Sequence, residues 1–312
     1  MNLSDTGEQA IIELIDKKTG IRDPRIIAGI GDDAAVIKSR GEKYKLITTD
    51  MLIENVHFTL HAMSFSQIGQ KALAVNLSDI AAMGGIPEFC LVSLGLNEKA
   101  SVENIDELYG GLLALAEEYD VKLIGGDTNY SPSGLIIDIC VIGKVEPERV
   151  CLRSKASQGD SILVTGRLGE ASARLKKGEY LPPIPRIREA QAILDIAKVN
   201  AMIDISDGLA KDLHRIVKSS NVGAIIYAGD IPVSPGAETE SALSGGEDFE
   251  LLLTVPEEEK DKLLGEIPRK TGTALTCIGK IVGTGVKIKG KDGRISPLPP
   301  GGYEHFKSNK KS

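Results

Sequence analysis

Nine acidic side chains stand out by their surroundings. Asp32 and Asp33 follow a glycine in GIGDDAAVI, Asp50 ends KLITTD, and Asp79 interrupts the apolar string AVNLSDIAAMGG. Asp127 follows the glycines of VKLIGG, Asp204 breaks AMIDIS, and Asp207, Glu247 and Asp248 sit at turns or element ends. A carboxylate inside an apolar segment is costly without a partner. Few lysines or arginines are near in sequence, so divalent cations are the natural counter-charge. Hard oxygen donors with few soft ones select Mg²⁺ over zinc or copper. Magnesium keeps several waters and bridges one or two carboxylates to phosphate oxygens, so scattered aspartates point to a polyphosphate substrate. Calcium storage is the rival reading, but no EF-hand loop pattern occurs.

GIGDDAAVI also has the G-x-G-x-x-A spacing of a dinucleotide fingerprint through Gly29, Gly31 and Ala34, with Asp50 placed 19 residues beyond Gly31. The segment is too short for a crossover helix before Gly41, and Asp32 and Asp33 would repel a pyrophosphate. The glycine pairs 125–126 and 245–246, each before an acidic residue, are expected to let backbone approach a ligand closely. No Gly-Lys pair is followed by Ser or Thr, and no kinase H-R-D-x-x-x-x-N loop occurs, so any use of ATP runs through another fold. His57 and His61 have the spacing of a zinc pair without the Cys or Glu that would complete one.

The elements that must position these groups alternate strand and helix, which predicts α/β layers. Residues 45–50 and 136–145 read as strands and 66–84 and 103–119 as amphipathic helices. Beyond a turn-rich stretch, SILVTG leads into a helix over GRLGEASARLKK, AMIDIS into another, and LSGGEDFELLLTV is a glycine turn entering a strand. This predicts two domains, 1–147 and 148–312. Three echoes between the halves, NLSDIAAMG with DISDGLAKDL, IGGDT with SGGED, and VIGKV with CIGKIV, suggest a distant duplication.

A length of 312 residues, 42% hydrophobic and 26% charged, with a net charge of −7, predicts a soluble globular protein with no nucleic-acid or membrane surface. The acidic, amphipathic start has no signal-peptide pattern, so a cytoplasmic enzyme is expected. Cys90, Cys140, Cys151 and Cys277 are expected as thiols, mostly buried, and the tail KSNKKS as disordered.

In order, GIGDDAAVI, TTDMLIENVHF, KALAVNLSDIAAMGGIP, LIGGDT, DISDGL, SGGEDFEL and GGYEHF closely resemble the thiamine-monophosphate kinase family, from about residue 27 to residue 306. The resemblance implies a two-domain α/β fold of the aminoimidazole ribonucleotide synthetase-like kind, an N-terminal sheet domain plus a C-terminal α/β domain. It also implies a homodimer joined through the N-terminal sheets and direct, Mg-dependent phosphorylation of thiamine monophosphate by ATP. Carried over by position, Asp33, Thr48, Thr49, Asp50, Asp79, Asp127, Asp204 and Asp207 resemble the magnesium set, with Asp33, Asp50, Asp79 and Asp127 catalytic through the metal. Tyr109, Gly126, Asp127, Arg153 and Ser206 resemble ATP contacts, and His57, Glu247 and Tyr303 resemble substrate contacts. For Tyr109 inward packing on a helix face is the competing reading. The aromatic Tyr303 has a physical rationale, since a ring face attracts the cationic thiazolium. The substrate phosphate is already a nucleophile, so no general base is nominated. Rival readings are another ATP-using member of the superfamily and a non-catalytic ATP/Mg²⁺ sensor. Against the first, no cysteine precedes Cys90 and the chain ends in KSNKKS without one.

Overall fold

The computed structural model describes residues 3–306. The first half runs α1 (Leu3–Thr19), β1 (Ile26–Ala28), β2 (Ala35–Ile37), β3 (Tyr44–Ile53), α2 (Phe65–Ala82), β4 (Ile86–Leu96), α3 (Val102–Glu118), β5 (Lys122–Tyr130) and β6 (Ile136–Val145). After two 3₁₀ turns, Pro147–Arg149 and Arg153–Lys155, come β7 (Ser161–Thr165), α4 (Glu170–Leu175), α5 (Ile187–Ile196), β8 (Ala201–Asp204) and α6 (Leu209–Ser220). β9 (Gly223–Tyr227), α7 (Thr239–Ser244), β10 (Leu251–Val255), α8 (Glu257–Thr271), β11 (Leu275–Val282), β12 (Val286–Lys289) and β13 (Ile295–Pro297) complete it.

The first sheet has the order β1-β2-β3-β6-β4-β5 and the second β13-β12-β9-β11-β7-β10-β8. Each is antiparallel except for one parallel pair, β4–β5 in the first and β9–β12 in the second. This is an α/β fold of two mixed sheets with helices. In β6 the alternation of IIDICVIGKV sends Ile137, Ile139, Val141 and Val145 into the core. On the first sheet Met51, Ile86, Phe89 and Ile124 are left exposed.

α2 begins with a capping box, Ser64 accepting from the Gln67 N–H and Gln67 returning the bond. It is buried over 13 of its 18 residues because it packs against β3, β4, β6 and α3 of the first half and against α5 and β8 of the second. One hydrophobic cluster accordingly runs through both halves, from Leu46, Leu73 and Ile139 to Met202, Leu253 and Ile267. A second cluster lies within residues 156–298 alone.

Several expectations need correcting. Asp50 lies inside β3 rather than at its end, since pairing with β6 continues through Met51, Leu52 and Ile53 and buries Leu52. Asp127 lies inside β5, paired with Ser93. GRLGEASARLKK yields only the short α4, while α5 and the charged α8, whose apolar contact is confined to a narrow face, went unread. Two of the three echoes fall on unlike elements: Asp79 is inside a helix but Asp207 is in a loop, and Asp127 is in a strand but Asp248 is in a loop. Cys90 and Cys151 are buried, while Cys140 and Cys277 are half-buried; all four are free thiols. The tail KSNKKS lies outside the described residues. Among the described residues no helix is long and apolar enough to cross a membrane.

Candidate active site

A cavity of about 1160 Å³ opens between the halves. Its floor is built by the 29–34 loop, which enters strand β2 and not a helix, by β3, and by the far side of α2 and the end of β8. Strand alternation turns Thr48 and Asp50 inward, and the helical turn of α2 brings Asp79 to the same place. Ligand oxygens of Asp33, Asp79 and Asp204 lie within 4.8 Å of one another. Thr48 donates to Asp79 at 2.5 Å and Ser78 donates to Asp204 at 2.7 Å.

Burial, then the charges of Asp50, Asp204 and Asp33, raise the Asp79 carboxyl well above its ordinary range, against the Thr48 hydrogen bond. Asp204 is raised by burial and Asp33, opposed by Ser78. Asp50 is pushed to about 6 by burial and by Asp138, Asp33 and Asp207. Asp32, also pushed to about 6 chiefly by burial, accepts the Arg153 backbone N–H at 3.0 Å. Carboxyls crowded in this way favour a proton or a cation.

The structure supplies more positive partners than sequence proximity suggested. Arg153 pairs with Asp33 and donates to the Gly31 carbonyl at 3.1 Å. Asp207 is met by Arg215 at 2.6 Å and Lys211 at 2.9 Å. Lys71 of α2 pairs with Glu247. Lys71 and Arg215 were not read from sequence, although a lysine within the apolar KALAVNL carries the same signal that singled out Asp79.

At the other end of the cavity His57 Nδ1 accepts the Ile53 N–H at 2.9 Å, which leaves Nε2 as the protonated nitrogen of the neutral ring. Burial, His305 and Lys71 depress its pKa to about 4. His305, which also escaped the sequence reading, meets His57 edge-on with centroids 5.3 Å apart and Tyr303 edge-on at 4.9 Å. The Tyr303 N–H donates to the Asp207 carbonyl at 3.1 Å. Glu247 adopts a left-handed φ of 71°, with its N–H bonded to the Ser206 carbonyl at 2.8 Å.

Asp33, Thr48, Thr49, Asp50, Asp79, Arg153, Asp204, Ser206, Asp207, His57, Glu247 and Tyr303 thus line one cavity. Thr49 points to the opposite face of β3 from Thr48, where it donates to Asp138 at 2.9 Å. Asp138, another unread acid, lies within the strand β6.

Tyr109, Gly126 and Asp127 do not line the cavity. Tyr109 packs against the core from α3, as its competing reading had it. Asp127 is exposed on β5 and accepts from Thr128 N–H at 2.9 Å and Asn129 at 2.5 Å. Asp248 turns away to accept the Gly169 N–H, at 3.0 and 2.8 Å from its two oxygens. The glycine pairs have packing reasons of their own. A Cβ on Gly126 would lie 1.8 Å from the Val92 carbonyl oxygen, and one on Gly245 would lie 2.3 Å from that of Ser241.

Residues 31–145 match the N-terminal domain of AIR synthase related proteins and residues 157–291 match the C-terminal domain. A thiamine-monophosphate kinase of Bacillus subtilis is 38% identical over 305 residues, covering 89% of this chain and 93% of the relative. One from Pyrococcus horikoshii is 37% identical, covering 89% and 91%. Among solved structures, AaThiL complexed with AMPPCP and TMP aligns with a TM-score of 0.84 at 33% identity, covering 98% of this chain and 99% of that one.

Proposed function

This chain belongs to the AIR synthase related family and within it is a thiamine-phosphate kinase; we propose that it passes the γ-phosphoryl group of ATP directly and in line to the phosphate of thiamine monophosphate, with magnesium required. The observation that carries the reading is the union, in one cavity, of the crowded Asp33, Asp79 and Asp204 carboxylates with an aromatic end made by His57, His305 and Tyr303. Support for the two substrates comes from the AaThiL complex, which contains an ATP analogue and TMP.

The donor set suits magnesium: three carboxylates with mutually close oxygens and no thiol or imidazole among them. Asp33, Asp79 and Asp204 would hold it, with Asp50, Thr48 and Asp207 around them and Thr49 on the opposite face of β3. Bound magnesium neutralises phosphate charge and fixes phosphate oxygens. Arg153, at present turned onto Asp33, is placed to redirect its guanidinium to the ATP phosphates, and Ser206 stands beside them. Tyr303 offers a ring face to the thiazolium, while His57 and Glu247 hold the rest of the thiamine. Alignment of two polyanions is then the chain's main task, since the acceptor phosphate needs no base.

Gly126 and Asp127 enter this scheme through a homodimer, whereas Tyr109 keeps its inward packing on α3. Asp127 pairs with Ser93, which pairs with Asp138, which pairs with Met51. At about 4.8 Å per strand, Asp127 is roughly 14 Å from β3 in its own chain. A partner docked on the first sheet would cover Met51, Ile86, Phe89 and Ile124 and would bring its own Asp127 and Gly126 to the nucleotide. We place the domain boundary at 147/148, between the two sheets.

The test is to incubate purified protein with Mg-ATP and thiamine monophosphate. Thiamine diphosphate should accumulate, and free thiamine should stay unreacted because its hydroxyl would need a base. No product across varied metals and temperatures, or equal turnover of free thiamine, overturns the reading.

A further inference from the structure

Lys71 is 2% exposed, in the middle of the most buried helix of the molecule. Its ammonium donates to the His57 carbonyl oxygen at 2.8 Å and pairs with Glu247. These two partners belong to the two loops that bear the thiamine end of the cavity, one from each half of the chain. An ammonium has three donors, and two are committed to these loops, so Lys71 is not arranged as a free phosphate anchor.

We propose that Lys71 is a positioning residue for the thiamine end of the site, orienting Glu247 and fixing the 54–58 loop without contacting the phosphates. The inference rests on the functional reading above, which makes His57 and Glu247 substrate contacts. Three features require such a residue. Glu247 has a left-handed backbone, which an L side chain adopts only when its surroundings hold it there. Its carboxylate is 28% exposed, so its direction is set by its partner as much as by packing. A buried cation without its carboxylate would be strongly disfavoured, which keeps the two elements together.

The experiment compares wild type, Lys71→Met, Lys71→Arg, Glu247→Gln and the Lys71→Met/Glu247→Gln double variant in steady-state kinetics with each substrate varied in turn. Lys71→Met should raise KM for thiamine monophosphate about tenfold or more and leave KM for ATP within about twofold. Lys71→Arg, which keeps the charge, should recover part of that loss. On the Glu247→Gln background, Lys71→Met should add less than about threefold, because the residue it positions is already altered. A merely structural lysine would instead raise both KM values together or lower the folded fraction alone, and its effect would multiply with that of Glu247→Gln. Either outcome overturns the inference. Should Lys71→Met fail to fold, the same substrate split in Lys71→Arg decides. A wild type that turns over thiamine monophosphate alongside an unsplit Lys71 variant sinks this inference alone, whereas an inactive wild type removes the functional reading and this inference with it.

Discussion

Asp79 and Asp127 both follow family motifs in sequence, yet the fold treats them in opposite ways. Asp79 is enclosed by α2, β3 and β8, close to Asp33 and Asp204, with its carboxyl raised by burial and like charge. Asp127 is exposed on the edge strand β5 and held by its own neighbours in sequence. One chain therefore brings Asp33, Asp79 and Asp204 together in its interior, while its β5 carries Asp127 outward. Two aspartates in equally well-matched motifs thus differ in whether their own chain encloses them.

The largest effect that would sharpen this contrast is Asp79→Asn. Losing one charge and one ligand oxygen from the crowded trio should lower kcat/KM about a hundredfold or more, as removal of several kcal/mol of charge stabilisation would. The metal-free variant should melt no lower than wild type, because a repelling carboxylate is gone. An apo variant that is unfolded, or near-normal turnover at ordinary magnesium, breaks the interior assignment.

Next comes a mixture of two inactive variants, Asp79→Asn and Asp127→Asn. If each site takes Asp79 from one copy and Asp127 from the other, every mixed dimer holds one intact site. Co-refolded protein should regain up to about a quarter of wild-type activity, half the dimers being mixed and half their sites intact. A mixture as inactive as its components places Asp127 in its own chain's site.

Smaller is the pH response of the metal-free protein. Asp32 and Asp50 sit at about 6, Asp212 at about 6 and Asp248 at about 7, against an ordinary 3.8, with Asp79 and Asp204 also raised. Between these values the folded state binds protons that the unfolded chain has released, so stability falls as pH rises through about 4 to 7. His57, depressed to about 4 from 6.5, works the other way and offsets about one carboxyl. The apo melting temperature should therefore be higher at pH 5.5 than at pH 7.5 on the scale set by these shifts, and saturating magnesium should flatten the difference. A profile that rises toward pH 7.5 contradicts the crowding.

Least of all is Tyr303→Ala, on a side chain 40% exposed. A lost cation–π contact of about 0.5–2 kcal/mol should raise KM for thiamine monophosphate, and Phe should restore it. An unchanged KM leaves Tyr303 as an anchor for the chain end through its bond to Asp207.

Much of this was legible in the residues themselves. Charges in apolar surroundings singled out Asp50, Asp79, Asp127 and Asp204, and three of these line the cavity, because burial leaves a compositional trace. Asp248, grouped with them only as an acid at a turn, serves the Gly169 N–H instead, since a carboxylate satisfied by backbone amides and one awaiting a cation look alike in sequence. The glycines at 125–126 and 245–246 carry a second reason that sequence does not show, since neighbouring carbonyls exclude a side chain from Gly126 and Gly245. Lys71 and Glu247 stand 176 positions apart, and nothing local announces that pairing. Strand limits failed where a ladder continued past the polar residue, as β3 does beyond Asp50.

Helix α2, wedged between the two sheets, has a consequence for how this architecture can be cut and recombined. It supplies Asp79 to the site and Lys71 to the far loops, and it is covered on one side by α5 and β8 from the second half. A fragment ending at residue 147 would keep the helix but lose that cover, leaving an apolar flank bare to water and the Ser78 hydroxyl without its Asp204. The halves are two domains by their sheets and one by their shared helix. Exchange of either half between relatives is therefore constrained to travel with a matching α2 surface, and a graft that respects only the linker should yield an aggregating chain.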